Sequence, residues 1–278
     1  MALCCLLSKG HLLIEDLPGM GKTTLSNALA RVMGLEYTRV QFTSDLLPAD
    51  ILGVSIFNRE TTEFEFIPGP IFTQVLLADE INRTTPKSQS ALLEAMEEGQ
   101  VTTEGKTRIL PSPFFVIATQ NPSEQAGTYP LPESQLDRFM MRISLGYPSK
   151  KSEKQLLMGT SRRELLKQIK ATLNADTLEK IQALVGKVKC AESLIDYIYR
   201  LVEFTRMQSG PHHGLSPRAA MALLHTAKSW ALIEGRNHVI PDDIQAVFPS
   251  VTEHRISGGQ SHTDNPLSQN ILKSVDIF

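Results

Sequence analysis

Ile14-Glu15-Asp16-Leu17-Pro18-Gly19-Met20-Gly21-Lys22-Thr23-Thr24 is the stretch whose reading decides the fold. An apolar run from His11 to Ile14 enters this glycine-bearing loop. Lys22-Thr23 then opens a segment whose apolar positions Leu25, Ala28, Leu29 and Val32 share one helical face. Strand, loop and helix in that order are the context a phosphate-binding loop needs. Backbone N–H groups from Gly19 to Thr23 would converge on phosphates where the helix dipole favours negative charge, with Lys22 near the β- and γ-phosphates and Thr23 on Mg2+. The expected ligand is ATP with Mg2+, and the expected nucleotide-binding residues are Leu17, Pro18, Gly19, Met20, Gly21, Lys22, Thr23 and Thr24. The generic pattern G-x-x-x-x-G-K-[ST] wants glycine where this chain has Asp16, an acid at the loop entrance, away from the lysine end. Out of context, the same stretch is a surface turn between a strand and a helix.

A second segment completes the reading. Val75-Leu76-Leu77-Ala78 is wholly apolar and ends in Asp79-Glu80, as a buried strand of a parallel sheet does when it delivers two carboxylates at its carboxyl end. Asp79 is then a second Mg2+ residue beside Thr23, and Glu80 polarises the attacking water. Taken alone, the pair is an exposed acidic strand end. The interval from Lys22 leaves room for one helix, one strand and another helix.

With 278 residues, 41% of them hydrophobic, and a formal net charge of −2, the chain has room for one large α/β domain and a smaller one. That balance argues against a nucleic-acid protein that relies on bulk positive charge. Cys4, Cys5 and Cys190 form no spaced metal pattern and imply no disulfide framework, as in a reducing cytosol. Met1 to Leu7 lacks a basic leading region and is too short for a secretory signal or a membrane span; it reads as the tail of a helix.

Along the chain, Tyr37 to Phe42 reads as a strand and Leu46 to Ile51 as a helical turn interrupted by Pro48. Gly53 to Asn58 and Glu63 to Ile67, around Arg59-Glu60-Thr61-Thr62, read as an inserted hairpin. Residues 87 to 98 are helical. A second hairpin, Gln100 to Thr103 and Thr107 to Leu110, turns at Glu104-Gly105, and Phe114 to Ala118 is another apolar strand. Past Pro148 strand-like runs cease, and amphipathic helices are expected at Leu178 to Val188, Leu194 to Met207, Pro217 to Glu234 and Pro241 to Phe248. The expected organisation is an α/β nucleotide-binding core over 1–147, a linker at 148–152, a helical lid over 153–255 and a tail over 256–278.

The string Asn121-Pro-Ser-Glu-Gln-Ala-Gly-Thr-Tyr-Pro-Leu-Pro-Glu-Ser-Gln-Leu-Asp-Arg-Phe139 resembles the signature of the MoxR family of AAA+ ATPases, as do Leu77-Ala-Asp-Glu-Ile-Asn-Arg83 and Gly214-Leu-Ser-Pro-Arg-Ala219. The resemblance runs from about Lys9 to Arg255, and in that family an acid at the position of Asp16 is a familiar variant. It implies a three-layer P-loop core with a central parallel sheet and two inserted hairpins, followed by an all-α lid. It also implies catalytic roles for Glu80, for Asn121 as sensor 1, for Arg138 as an arginine finger reaching a neighbouring subunit, and for Arg218 as sensor 2. A finger of this kind is worth roughly 10³ to 10⁵ in rate; the bland alternative for Arg138 is a salt bridge with Asp137 or a surface acid, worth about 0 to 1 kcal/mol. Arg83 could contact a neighbour's site or serve a capping or structural role. Members of the family usually carry further helices before the position of Lys9 that close over the adenine.

The resemblance further implies a cytoplasmic homo-oligomer, a hexameric ring, that remodels a partner protein, often one with a von Willebrand factor type A domain. Two other readings stand beside it: a nucleotide-gated scaffold with little turnover, and a DNA-acting motor. The hairpin tips, Arg59 to Thr62 and Glu104-Gly105-Lys106, are polar and lack an aromatic plunger, so threading is not expected and a subunit contact is the simpler role. Lys/Arg clusters with stacking aromatics are missing as well, so no nucleic-acid partner is expected. His212-His213, without further ligands at metal spacing, read as solvated or capping residues.

Overall fold

The computed structural model describes residues 1–121, 127–159, 162–207, 214–257 and 266–277. His212 and His213 lie outside them. The chain begins with α1 (Ala2–Leu7), β1 (Leu12–Glu15), α2 (Lys22–Val32), β2 (Tyr37–Gln41) and α3 (Pro48–Leu52). There follow β3 (Gly53–Asn58), β4 (Glu63–Pro68), β5 (Val75–Asp79), a 3-10 turn at Ile81–Arg83 and α4 (Pro86–Glu98). Next are β6 (Gln100–Thr103), β7 (Lys106–Ile109), β8 (Phe115–Gln120), α5 (Glu133–Leu136) and β9 (Met141–Ile143). The remainder is helical: α6 (Lys150–Leu157), α7 (Arg162–Gln168), α8 (Ala175–Lys187), α9 (Glu192–Met207), α10 (Pro217–Ile233), α11 (Pro241–Ile256) and α12 (Leu267–Ser274).

Five strands pair in the order β2-β5-β8-β1-β9. Strand β5 lies parallel to β2, with Gln41 beside Asp79, and parallel to β8, with Ala78 beside Ala118. Every residue of β5 is buried, as are the first five of β8, which is why both read as unbroken apolar runs rather than alternating ones. Strand β2 ends the order and carries Thr38, Arg39 and Gln41, the polar dressing an edge strand needs. The register sets the chemistry: the C-terminal ends of β2, β5 and β8 stop side by side, so Gln41, Asp79 and Thr119 share one rim.

Both inserted hairpins form, β3 against β4 and β6 against β7. Glu104 and Gly105 take φ of 53° and 73°, the left-handed pair that a two-residue hairpin turn requires. In the first hairpin the tip is polar, but Phe57 pairs with Phe64 one rung behind it, their rings 5.4 Å apart and 52% and 72% exposed. An aromatic pair therefore stands just behind the tip.

Three local readings differ from the structure. Pro48 opens α3 rather than interrupting it, since a proline at the first helical position forfeits no hydrogen bond. Helix α11 runs through Pro249 to Ile256, because the burial of Val251, Thr252, His254 and Ile256 outweighs the missing donor. The segment expected as a tail carries α12, whose first amides, Leu267 and Ser268, donate to the buried Glu253 carboxylate at 3.1 and 2.9 Å.

By internal packing the chain divides into two compact units, one of residues 1–13, 131–143 and 176–278, the other of 14–130 and 144–175. In the first, α1 buries Cys4 and Cys5, and burial pushes the Cys4 thiol up to about 12. In the second, β5 and β8 form the apolar centre with Ile51, Ile71, Leu92 and Leu93.

Candidate functional site

Within the unit of 14–130 and 144–175, one cavity is lined by Pro18, Gly19, Gly21, Lys22, Thr23, Thr24, Asp79, Glu80 and Asn121. Three separate stretches of sequence thus meet where the sheet ends. Leu17 and Met20, expected with them, are not in the lining. Gly19 and Gly21 take φ of 83° and 96°, a region that favours glycine, and an added Cβ at either would meet nothing within 4 Å. The loop is therefore an open cradle.

Lys22 Nζ donates to the backbone carbonyls of Asp16 at 2.6 Å and Gln120 at 3.2 Å, which draws the loop entrance, the lysine and the end of β8 together. Asp16 explains why glycine is dispensable at its position. Its Oδ1 accepts from Leu17 N–H at 2.9 Å, and its Oδ2 accepts from Leu145 and Gly146 N–H at 2.6 and 2.8 Å and from the Ser144 hydroxyl at 3.2 Å. Burial works to raise the Asp16 pKa, but the amides of Gly146, Leu145 and Leu17 and the Ser144 hydroxyl together bring it below 3.8. The acid bolts the loop entrance to the segment 144–146.

The acidic pair is held differently. Thr119, fully buried at the end of β8, donates its hydroxyl to Asp79 Oδ1 at 2.6 Å and accepts Glu80 N–H at 2.9 Å. One hydroxyl therefore sets both acids. Arg39 donates to Asp79 Oδ2 at 2.7 and 3.0 Å, and Gln41 Nε2 to Glu80 Oε2 at 2.7 Å. Arg83 Nε lies 3.3 Å from the same Glu80 oxygen, so it has a structural partner within the chain. Glu80 itself sits at φ 58°, ψ 49°, a costly left-handed conformation for a residue with a side chain. That turn directs Glu80 away from the strand path Asp79 follows. The sequence reading gives no role to Thr119, Arg39, Gln41 or Ser144; for the first three a signal lies in the polar ends of β2 and β8, which strand register sets on either side of β5.

Asn121, just past β8, is buried and lines the cavity. Arg138 and Arg218 belong to the unit of 1–13, 131–143 and 176–278 and are not among the residues that line the cavity. Arg138 follows α5, and Arg218 is the second residue of α10, whose N-cap Ser216 accepts Ala219 N–H at 3.1 Å.

The residues fit Mg-ATP. The cradle is open where a phosphate needs room, a lysine and a helix N-terminus supply positive potential, and Thr23 and Asp79 offer the oxygen donors that Mg2+ selects. Comparisons with known proteins agree. The model of the ATPase family associated with various cellular activities (AAA) matches residues 11–141, and that of the AAA lid domain matches residues 203–275. YeaC of Bacillus subtilis (strain 168), an uncharacterized protein, is 48% identical over 92% of this chain and 80% of its own length. Chaperone MoxR1 of Mycobacterium tuberculosis is 43% identical over 90% of this chain and 68% of its own, and protein MoxR of Methylorubrum extorquens is 30% identical over 90% and 79%. A solved structure of a candidate ATPase from Cytophaga hutchinsonii superposes with a TM-score of 0.85 at 39% identity, covering 99% of this chain and 88% of that one. With a cavity at a glycine-bearing loop, a carboxylate pair at the sheet end and relatives 43–48% identical over 90–92% of its length, this chain belongs to the MoxR family of AAA+ ATPases.

Proposed function

We propose that the chain hydrolyses ATP at a site completed by a neighbouring copy, and uses the cycle to remodel a partner protein. The observation that carries the reading is a cavity that gathers Lys22, Thr23, Asp79, Glu80 and Asn121 from three stretches of sequence. Lys22 binds the β- and γ-phosphates, and Thr23 and Asp79 hold Mg2+, which when bound neutralises charge on the transferring phosphoryl group. Glu80 orients and polarises the lytic water, and the Asn121 amide fixes it against the γ-phosphate. Arg138 of one subunit serves the site of the next, and Arg218 couples the C-terminal helices to the γ-phosphate. A head-to-tail contact of this kind closes into a ring, here a hexamer.

The chaperone name of the Mycobacterium tuberculosis relative supports a remodelling role; the partner class proposed with it is a protein carrying a von Willebrand factor type A domain, and the proposed place of action is the cytoplasm. Among the described residues no helix is long and apolar enough to cross a membrane. The test is steady-state ATP hydrolysis as a function of protein concentration, with Glu80→Gln and Arg138→Ala alone and mixed. Specific activity that rises with concentration, and turnover that returns when the two inactive variants are combined, is the expected result. Activity independent of concentration, with no recovery on mixing, would overturn the shared site.

A further inference from the structure

Arg255 lies near the end of α11, beyond Pro249, and its side chain is 5% exposed. A guanidinium has five N–H donors, and here five acceptors meet them. Nε donates to Asp137 Oδ1 at 2.7 Å. One terminal nitrogen donates to Met140 O at 3.3 Å and to Val251 O, the other to Asp137 O at 3.2 Å and Phe139 O at 2.8 Å. Four of the five acceptors thus belong to residues 137–140, the segment in which Arg138 is embedded. His254 Nε2 adds a bond to Phe139 O at 3.1 Å. The second oxygen of Asp137 accepts the hydroxyl of Ser216 at 3.1 Å, and Ser216 caps α10, whose second residue is Arg218. All of these residues lie in one compact unit.

We propose that Arg255 is a positioning residue: through Asp137 it fixes, in one buried network, the segment that carries Arg138 and the helix start that carries Arg218. Resting on the reading that Arg138 acts at a neighbour's site, the proposal adds how two arginines 80 positions apart in sequence keep a set relation. The chemistry asks for arginine. Lysine has three donors on one nitrogen and could not span Asp137 Oδ1 and the carbonyls of 137, 139 and 140 together. The Arg218 charge acts on Arg255 as well, lowering its affinity for a proton, after burial and against the support of Asp137.

Arg255→Lys in the full chain tests this, with Arg138→Ala and Glu80→Gln in parallel, by turnover, binding of a fluorescent ATP analogue and thermal unfolding. Misplacing a catalytic group by about 1 Å costs about 10²-fold. The expected result is a turnover loss of about ten- to a hundredfold, with analogue affinity within about twofold and recovery when Glu80→Gln subunits, whose Arg138 is intact, are mixed in. General loss of structure would weaken nucleotide binding and would not be rescued. Should Arg255→Lys fail to fold, Asp137→Asn, which keeps shape and an acceptor, carries the same measurements. If Arg138→Ala is inactive and rescued while the network variant keeps wild-type turnover, the positioning role is wrong and the shared site stands. If Arg138→Ala itself keeps turnover, or is not rescued, the shared site fails first and this inference with it.

Discussion

Thr119→Val is the most searching substitution at the cavity because it removes one oxygen and leaves the volume of a fully buried side chain almost unchanged. The hydroxyl makes two bonds, donating to Asp79 Oδ1 at 2.6 Å and accepting Glu80 N–H at 2.9 Å. A hydrogen bond to a charged group is worth about 1.5–3 kcal/mol, and a buried amide left without its acceptor costs about 1–3 kcal/mol. Taking the lower part of each range, the variant should lose about 3 kcal/mol. For a chain of this size that lowers the unfolding midpoint by about 6–12 °C. Turnover should fall by at least about tenfold, since Asp79 and Glu80 lose their common anchor and a displacement of about 1 Å at reacting groups costs about 10²-fold. Thr119→Ser keeps the oxygen and sacrifices one methyl group, a cost of about 1 kcal/mol, and should retain most of the activity. Calorimetry and steady-state ATP hydrolysis on the three proteins decide the matter. A valine variant within about 2 °C and twofold of wild type would refute the reasoning, because the hydroxyl would then not be what sets the acids.

Three further outcomes are expected. Lys22→Met removes a charged donor that reaches the carbonyls of Asp16 and Gln120; ATP affinity by calorimetry should drop about ten- to a hundredfold, the equivalent of about 1.5–3 kcal/mol, and unchanged affinity would contradict the assignment. Asp16 has a folded-state pKa below 3.8, so its contribution to stability is complete above pH 3.8 and lost as pH falls through the folded value. Asp16→Asn should therefore be less stable than wild type at pH 7 yet lose less on acidification below pH 3.8, and equal acid slopes would count against the bolt to 144–146. Burial first, then the Arg255 and Arg142 charges, holds the His254 pKa well below 6.5, so the unfolded imidazole takes a proton that the folded one refuses, and stability declines as pH drops below 6.5. His254→Gln should flatten that decline in urea titrations run at a series of pH values; a slope identical to wild type would show that the imidazole is not its source.

The parts of the fold and site that sequence discloses are those written locally. The loop from Asp16 to Thr24 and the run Val75 to Glu80 carry strand, turn and helix signals within a few residues of the chemistry, and the structure puts them against one cavity. Phe57 and Phe64 were visible as residues, yet their pairing behind the first hairpin's tip depends on register, which a reading of the tip alone does not supply. Thr119, Gln41 and Ser144 were hidden for the same reason: each acts on a residue 39 or more positions away, with |i−j| of 39 to Glu80 from both Gln41 and Thr119 and 128 from Ser144 to Asp16. Arg255 carried no local signal of its role: the amphipathic stretch reads only to Phe248, and packing that continues beyond Pro249 carries the helix on to the residues that hold 137–140.

Held so firmly by Thr119, the acidic pair must on the proposed function still let a metal and a water approach, and exposure bears on how. Arg83 and Glu80 are 44% and 30% exposed, so their ion pair is worth only about 0–1 kcal/mol; Asp79 is only 10% exposed, but its partner Arg39 is 47% exposed and so is drawn toward solvent as well. These contacts orient Asp79 Oδ2 and Glu80 Oε2 but cannot hold them against a divalent cation or a phosphate. The buried bond from Thr119 to Asp79 Oδ1 is the stronger attachment, and it leaves the other oxygen as the one that exchanges partners. The carboxylates thus have one fixed side and one exchangeable side each: for Asp79 Thr119 against Arg39, for Glu80 its backbone N–H on Thr119 against a side chain lent to Gln41 and Arg83. A site arranged in this way is preorganised in backbone and first oxygen, and on the proposed function the three contacts from Arg39, Gln41 and Arg83 are the ones that give way when nucleotide arrives.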